Sequence, residues 1–307
     1  MGAPHCVQCS KGDPHSIQTF GPESGTLYDV LKLAGARLLD DRDAYAVQAA
    51  LEADPVSHCM VASRVEIAGL DPWRLGGEMW GFGGRLDGLC FSGANLVPLF
   101  GGHAAVRAFA ERAMRRRRCC SSLVGPSDQV MPLWDELAPH WGPAREVRAD
   151  QPLLALSAPP SIRPDAMVRP VRPNELDRYL PAAVAMFIEE VGIDPRAEDG
   201  GAGYRARVAE LIAGGRAFAR FENGEVVFKA EIGALSSRVG QIQGVWVHPD
   251  RRGHGLGAEG TAAVADRLVR QMRRTASLYV NDYNHAARAA YRRIGMTQVG
   301  QYSTVLF

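Results

Sequence analysis

No apolar run in this chain approaches the roughly 20 residues that a membrane-spanning helix needs, because Gly, Arg or Asp interrupts each candidate first. The first thirty residues carry no apolar core of a secretory signal. Neither sign of charge dominates: 35 basic and 34 acidic residues leave a formal charge of +1, so no global field draws the chain to nucleic acid or to an anionic membrane. Cysteine is scarce as well. Six thiols in 307 residues, two of them adjacent (Cys119 and Cys120), are too few for a disulfide scaffold. These absences make a cytoplasmic protein with reduced thiols the expectation. Cys6-x-x-Cys9, with His5 and His15 nearby, has no second ligand pair at recognisable spacing, so no metal is expected.

What is present points to a globular protein of two domains or one large one: 46% hydrophobic and 22% charged residues over 307 positions. Residues 1–28, rich in Gly, Pro, Ser and His, read as a disordered leader. A strand over 30–39 and a helix carrying Ala44, Val47 and Leu51 on one face open the first domain, with Pro55 as the helix stop. A hairpin over 80–91 follows, then a strand over 95–100, a helix over 103–117, a strand over 121–124, a helix over 128–137 and two closing strands up to 157. The stretch 151–164, with Pro159, Pro160 and Pro164, favours an extended connector. The same order then recurs: a strand over 168–172, helices after Pro173 and over 203–213, and a hairpin turning at Glu222-Asn223-Gly224-Glu225. A strand over 241–247, a helix over 256–273, a strand over 277–280, a helix over 285–294 and a last strand complete it. The repeated order implies an internal duplication, divided as leader 1–28, first domain 29–157, linker 158–166 and second domain 167–307.

The most informative segment runs from Val245 to Ala258: a strand, a basic turn (Arg251, Arg252), the alternate glycines Gly253, Gly255 and Gly257, and a helix start. Glycines let backbone N–H groups converge on an anion, and a helix N-terminus adds partial positive charge. A P-loop is excluded, because Gly260 is followed by Thr261 with no lysine between. Gly255-x-Gly257-x-x-Gly260 matches the dinucleotide fingerprint literally, but residues 248–254 separate the strand from those glycines. Arg252-x-x-Gly255-x-Gly257 resembles the acetyl-coenzyme A loop of the GNAT superfamily of N-acetyltransferases. Leu278-x-Val280-x-x-x-Asn284-x-x-Ala287-x-x-x-Tyr291-x-x-x-Gly295-Met296 is similar to that family's closing motif. The resemblance covers about residues 163–307.

The resemblance implies an α+β fold of two GNAT-like domains, each a mixed, mostly antiparallel sheet flanked by helices, the first one degenerate. It implies direct transfer of an acetyl group from acetyl-coenzyme A, as co-substrate, to a primary amine of a small molecule or protein. A bulged fourth strand would part from the fifth and admit the coenzyme beside Val245, Trp246 and Val247. Arg252, Gly253, His254, Gly255, Leu256, Gly257 and Ala258 would hold its phosphates, and Asn284 the coenzyme or the parted strand. Tyr291 would be the acid that protonates the thiolate, a role suited to a phenol that is protonated at neutral pH. The positions where relatives carry a basic Glu are Gln243 and Tyr279 here, so Glu231, on the same strand face as Lys229, is the candidate base. That gap keeps open a non-catalytic acyl-coenzyme A-binding regulatory module. In the first domain Asp128 and Asp135 stand where Asn284 and Tyr291 stand in the second, and Gly101-Gly102-His103 offers no arginine. The remaining roles for that domain are to wall the substrate cleft, recognise a partner or cover a sheet edge. The run Arg115–Arg118 reads as a solvated helix end rather than a nucleic-acid surface, since no aromatic residues interleave it.

Overall fold

A computed structural model describes residues 35–197 and 199–307. The leader 1–28, Cys6, Cys9, His5 and His15, and the beginning of the expected first strand lie outside the described residues. The first series of elements is β1 (Arg37–Leu38), α1 (Ala44–Ala53), α2 (Cys59–Ala68), a short α3 (Pro72–Leu75), β2 (Gly77–Phe82), β3 (Gly88–Gly93), β4 (Asn95–Gly101), α4 (His103–Met114), β5 (Ser122–Pro126), α5 (Ser127–Trp141) and β6 (Glu146–Leu156). The second is β7 (Arg169–Pro170), α6 (Leu176–Val191), α7 (Ala202–Ala213), β8 (Ala217–Glu222), β9 (Glu225–Leu235), β10 (Val239–Val247), α8 (Leu256–Asp266), β11 (Thr275–Tyr279), α9 (His285–Arg293) and β12 (Thr297–Leu306). Each half is thus α+β, a strand and helices followed by a three-strand meander, a helix, a strand, a helix and a last strand.

Local chemistry explains most boundaries. Asp40 caps the turn before α1, Val47 and Leu51 bury that helix, and it ends at Ala53, before Pro55. The β8–β9 hairpin turns on Asn223 (φ +49°) and Gly224 (φ +90°), the left-handed pair that a two-residue turn matched to strand twist requires. Two expectations are corrected. Helix α2, buried through Cys59, Val61, Ala62 and Ala68, occupies a stretch assigned no element from sequence. Residues 146–156 form one long strand rather than two, and the connector expected from 151 begins only after Leu156. Pro152 is tolerated inside β6 because it lies just past Leu153, the last residue laddered to β11.

The twelve strands of the described residues form one sheet in the order β1-β2-β3-β4-β5-β12-β6-β11-β10-β9-β8-β7. Each half has a single parallel pair, β4 with β5 and β10 with β11, and is otherwise antiparallel. The halves exchange their last strands: β6 pairs with β11, β12 pairs with β5, and β6 and β12 pair with each other at the centre. Their side chains follow. Leu154 and Leu156 of β6 pack with Phe228, Ile242 and Leu278 of the second half, while Tyr302 and Val305 of β12 enter the apolar clusters of the first. At up to about 1.5–3 kcal/mol for each large apolar side chain taken from water, these four buried residues help to bind the halves together.

Candidate functional site

The site originates in a bulge. Gln243 pairs with Glu231 and Trp246 with Lys229, so β10 spends one residue more than β9 over this interval. Gly244, at φ +56°, absorbs it; a Cβ there would be strained and would meet Met186 at 3.0 Å and Lys229 at 3.1 Å. The bulge turns β10 away from β11. The two are laddered only from Val239 to Gln241 and Thr275 to Ser277, and beyond that they part. Backbone groups facing such a gap are left for an extended ligand to satisfy.

Two cavities meet at the gap. The outer one, about 560 Å³, is lined by Val245, Trp246, Val247, Arg252, Gly253, Gly255, Leu256, Gly257, Ala258 and Asn284, with Tyr291 at its inner end. The inner one, about 420 Å³, holds Glu190, Glu231, Gln243, Tyr279 and again Tyr291. Glu189, Val245, Trp246, Asn284 and Tyr291 line both, so the two chambers communicate there. Of the loop residues singled out in the sequence, His254 alone stays outside; its Nδ1 lies 2.8 Å from the Arg252 carbonyl oxygen.

Gly253 (φ +80°) and Gly255 (φ +85°) take the left-handed conformations that bend the loop onto α8. Gly260 has another purpose: a Cβ there would lie 2.6 Å from the Phe228 ring, so it allows the helix to pack on the strand. The guanidiniums are partnered. Arg251 pairs with Glu222. Arg252 pairs with Glu189 at 2.7 Å and donates from Nε to the Val247 carbonyl at 3.0 Å. Glu189 also accepts from Trp246 Nε1 at 3.1 Å, so it spans the cleft. The Arg252–Glu189 pair is about half exposed on both sides, and such pairs are worth roughly 0–1 kcal/mol. A phosphate can therefore displace Glu189 at little cost. Asn284 caps α9, its Oδ1 accepting from the Ala287 N–H at 3.1 Å, while still facing both chambers.

The inner chamber concentrates ionisable groups. Glu231 is buried, and its Oε1 accepts from Lys229 Nζ at 2.7 Å and from the Tyr179 hydroxyl at 3.0 Å. Lys229 is fully buried, so the pair is internal and not the solvated one the strand pattern allowed. With both protons on that oxygen supplied by protein groups, its lone pairs are already engaged. Glu190, at the end of α6, has no such commitment. The residue is exposed at the mouth of the chamber, but enough protein surrounds the carboxylate that partial desolvation raises its pKa from the ordinary carboxylate value; Arg148 and Lys229 oppose the shift and Glu231 adds to it. Burial first and Glu190 second push Tyr279 up to about 12 and raise Tyr291 further, so both phenols keep their protons. Sequence reasoning missed Glu190, which reads as one of two solvated glutamates at a helix end. It also missed the contribution of β6: Gln151 lines the inner chamber and donates to Asn281 Oδ1 at 2.8 Å, and Arg148 donates to the Glu190 carbonyl at 2.6 Å.

The first half has a cavity of about 620 Å³ at the corresponding ends of β4 and β5, lined by Phe100, Ser127 and Asp128 but by no arginine. Among the described residues no three His, Cys, Asp or Glu side chains cluster as metal ligands, and no helix is long and apolar enough to cross a membrane.

Comparison with known proteins matches this architecture. Residues 183–296, from α6 through Met296, match the model of the Acetyltransferase (GNAT) family, and residues 77–179 match a domain of unknown function, DUF4081. Similar solved structures include a Drosophila protein (TM-score 0.61, 13% identity, 89% of this chain and 98% of that one). Others are a GCN5-related N-acetyltransferase from Sphaerobacter thermophilus (0.53, 19%, 88% and 93%) and a GNAT-family acetyltransferase from Colwellia psychrerythraea (0.52, 10%, 89% and 99%). At these identities the likeness is one of fold. No curated protein matches the chain significantly. The bulged strand, the glycine loop and the helix carrying Tyr291 all fall inside residues 183–296, the segment that matches the GNAT acetyltransferase family.

Proposed function

We propose that the chain is an N-acetyltransferase that moves the acetyl group of acetyl-coenzyme A directly to a primary amine of a small molecule or protein. In this reading residues 167–307 are the catalytic domain and 29–157 a degenerate copy. The observation that carries it is the continuity of the two chambers: a glycine loop with Arg252 at one end, a carboxylate with a raised pKa at the other, and Tyr291 at their junction. Diphosphate binds the loop, with Arg252 released from Glu189, and pantetheine lies along the exposed backbone of β10. The neutral amine enters the inner chamber, and Glu190, which its raised pKa makes a stronger base than an ordinary carboxylate, takes the proton that the nitrogen loses as it bonds to the acetyl carbon. The nitrogen lone pair attacks the acetyl carbonyl carbon, and a backbone N–H near Val247 stabilises the oxyanion. The C–S bond breaks as the intermediate collapses, and the thiolate takes its proton from the Tyr291 hydroxyl. We assign the base to Glu190 rather than Glu231, and its presence favours turnover over a module that merely holds the coenzyme.

The test is thiol release from acetyl-coenzyme A against a panel of amines and lysine peptides. Tyr291→Phe should reduce kcat at least tenfold with coenzyme affinity retained. Unchanged turnover would remove Tyr291 as the acid, and no thiol release with any amine would overturn the enzymatic reading.

A further inference from the structure

The basic run Arg115–Arg118 is exposed just past the end of α4, as its sequence suggests, and it also borders a concave site. It closes a cavity of about 540 Å³ between the end of α4, the β2–β3 pair and the start of β5, in which Arg112 and all four arginines of the run meet Trp80 and Trp141. No aromatic residue interleaves the run, yet two tryptophans reach it from β2 and from the end of α5. Among the described residues the cavity is lined by five guanidiniums and one carboxylate, Glu78. That carboxylate is already saturated: it pairs with Arg116 at 2.9 Å and Arg112 at 3.3 Å and accepts from Trp80 Nε1 at 2.8 Å. Arg115 and Arg117 have no carboxylate within pairing distance among the described residues, and Arg112 Nε is buried without a hydrogen-bond partner there.

Guanidiniums crowded in this way repel one another, and a concave site lined with them focuses a positive potential. We propose that this cavity binds a phosphorylated small molecule of nucleoside-diphosphate size, its diphosphate group held by Arg115 and Arg117 and its ring against the apolar wall formed with Trp141. Planar guanidinium forks match phosphate oxygens in pairs, and the volume lies within the range of small-ligand sites. Being a pocket between helix and sheet rather than an open basic stripe, it excludes a duplex. It is also separate from the worn coenzyme position of the first half. Leu96 and Cys120, near the starts of β4 and β5, line it, whereas Phe100 and Ser127, at the other ends, line the cavity equivalent to the acetyl-coenzyme A cleft.

Cys119 reports on occupancy, since it lines the cavity and is the exposed cysteine among those described. The experiment follows alkylation of Cys119, resolved by peptide, in the full chain with ADP or with inorganic pyrophosphate. Protection of at least fivefold by both ligands supports binding through the diphosphate; protection by ADP alone supports the site with the ring contributing. Arg115→Ala with Arg117→Ala should weaken calorimetric ADP binding at least tenfold and abolish protection. Arg252→Ala, which alters the coenzyme cleft, should leave protection intact. Absence of protection by either ligand, protection that survives the double substitution, or protection lost in Arg252→Ala would overturn the proposal.

Discussion

Lys229→Met tests how the inner chamber is held together. The ammonium is fully buried and 2.7 Å from Glu231 Oε1. At an effective dielectric of about 20, unit charges at that distance attract by about 6 kcal/mol, set against a desolvation penalty of several kcal/mol for each ion. Taking away the lysine alone forfeits the attraction but leaves Glu231 buried with only the Tyr179 hydroxyl, 3.0 Å away. A loss of roughly 3–5 kcal/mol is expected, read as a lower urea midpoint at unchanged slope. Lys229→Met combined with Glu231→Gln removes both charges and keeps an acceptor for Tyr179, so most of the loss should return, to within about 1–2 kcal/mol of the parent. The same substitution has a second readout. Lys229 is one of the charges that lower the pKa of Glu190 and Glu231 is one that raises it, so Lys229→Met should move the acid limb of the pH–rate profile to higher pH, and the double variant should move it back. A single variant costing under about 1 kcal/mol, or a double variant no more stable than the single, would refute the account of an uncompensated buried charge.

Glu190→Gln should lower kcat by about 10²- to 10⁴-fold, the range for loss of a general base, while making the fold more stable at neutral pH. The sign follows from its raised folded-state pKa: the contribution to stability is complete below the ordinary carboxylate range and is lost as pH rises through the folded value, so the Tm gap between variant and parent should shrink on acidification. A gap independent of pH would contradict a carboxylate whose ionisation the fold penalises. Residues 158–307 expressed alone should fail to unfold cooperatively, because β11 loses β6 and β12 loses both β5 and β6, and adding residues 29–157 in trans should restore a folded complex. A soluble, cooperatively folding C-terminal fragment would refute the strand exchange as a requirement.

What was legible in the sequence was what the backbone imposes locally. Asn223-Gly224 must be left-handed, Gly253 and Gly255 must bend a loop, and residue identity records both. The α+β element order followed from such marks, whereas Arg252, Asn284 and Tyr291 stood out only through the resemblance to the GNAT motifs. What was hidden depends on partners distant in the chain. Glu190 is one of two adjacent glutamates at a helix end until the fold brings the charges of Arg148, Lys229 and Glu231 near it. The arginine run is solvated as its sequence reads, but that Trp80 and Trp141 line a pocket with it depends on other elements. The strand exchange is hidden for the same reason: an apolar strand records which of its faces are buried but not which strand lies beside it. This last omission bears on the site itself. Because β6 rather than β12 borders β11, the wall of the inner chamber beyond the parted strands includes Gln151, braced by Asn281 and Thr304, while Arg148 of β6 donates to the Glu190 carbonyl at the end of α6. A half without an arginine at its own glycine loop therefore shapes the chamber in which Glu190 and Tyr291 face each other, and substitutions in β6 should alter acceptor choice before they alter coenzyme affinity.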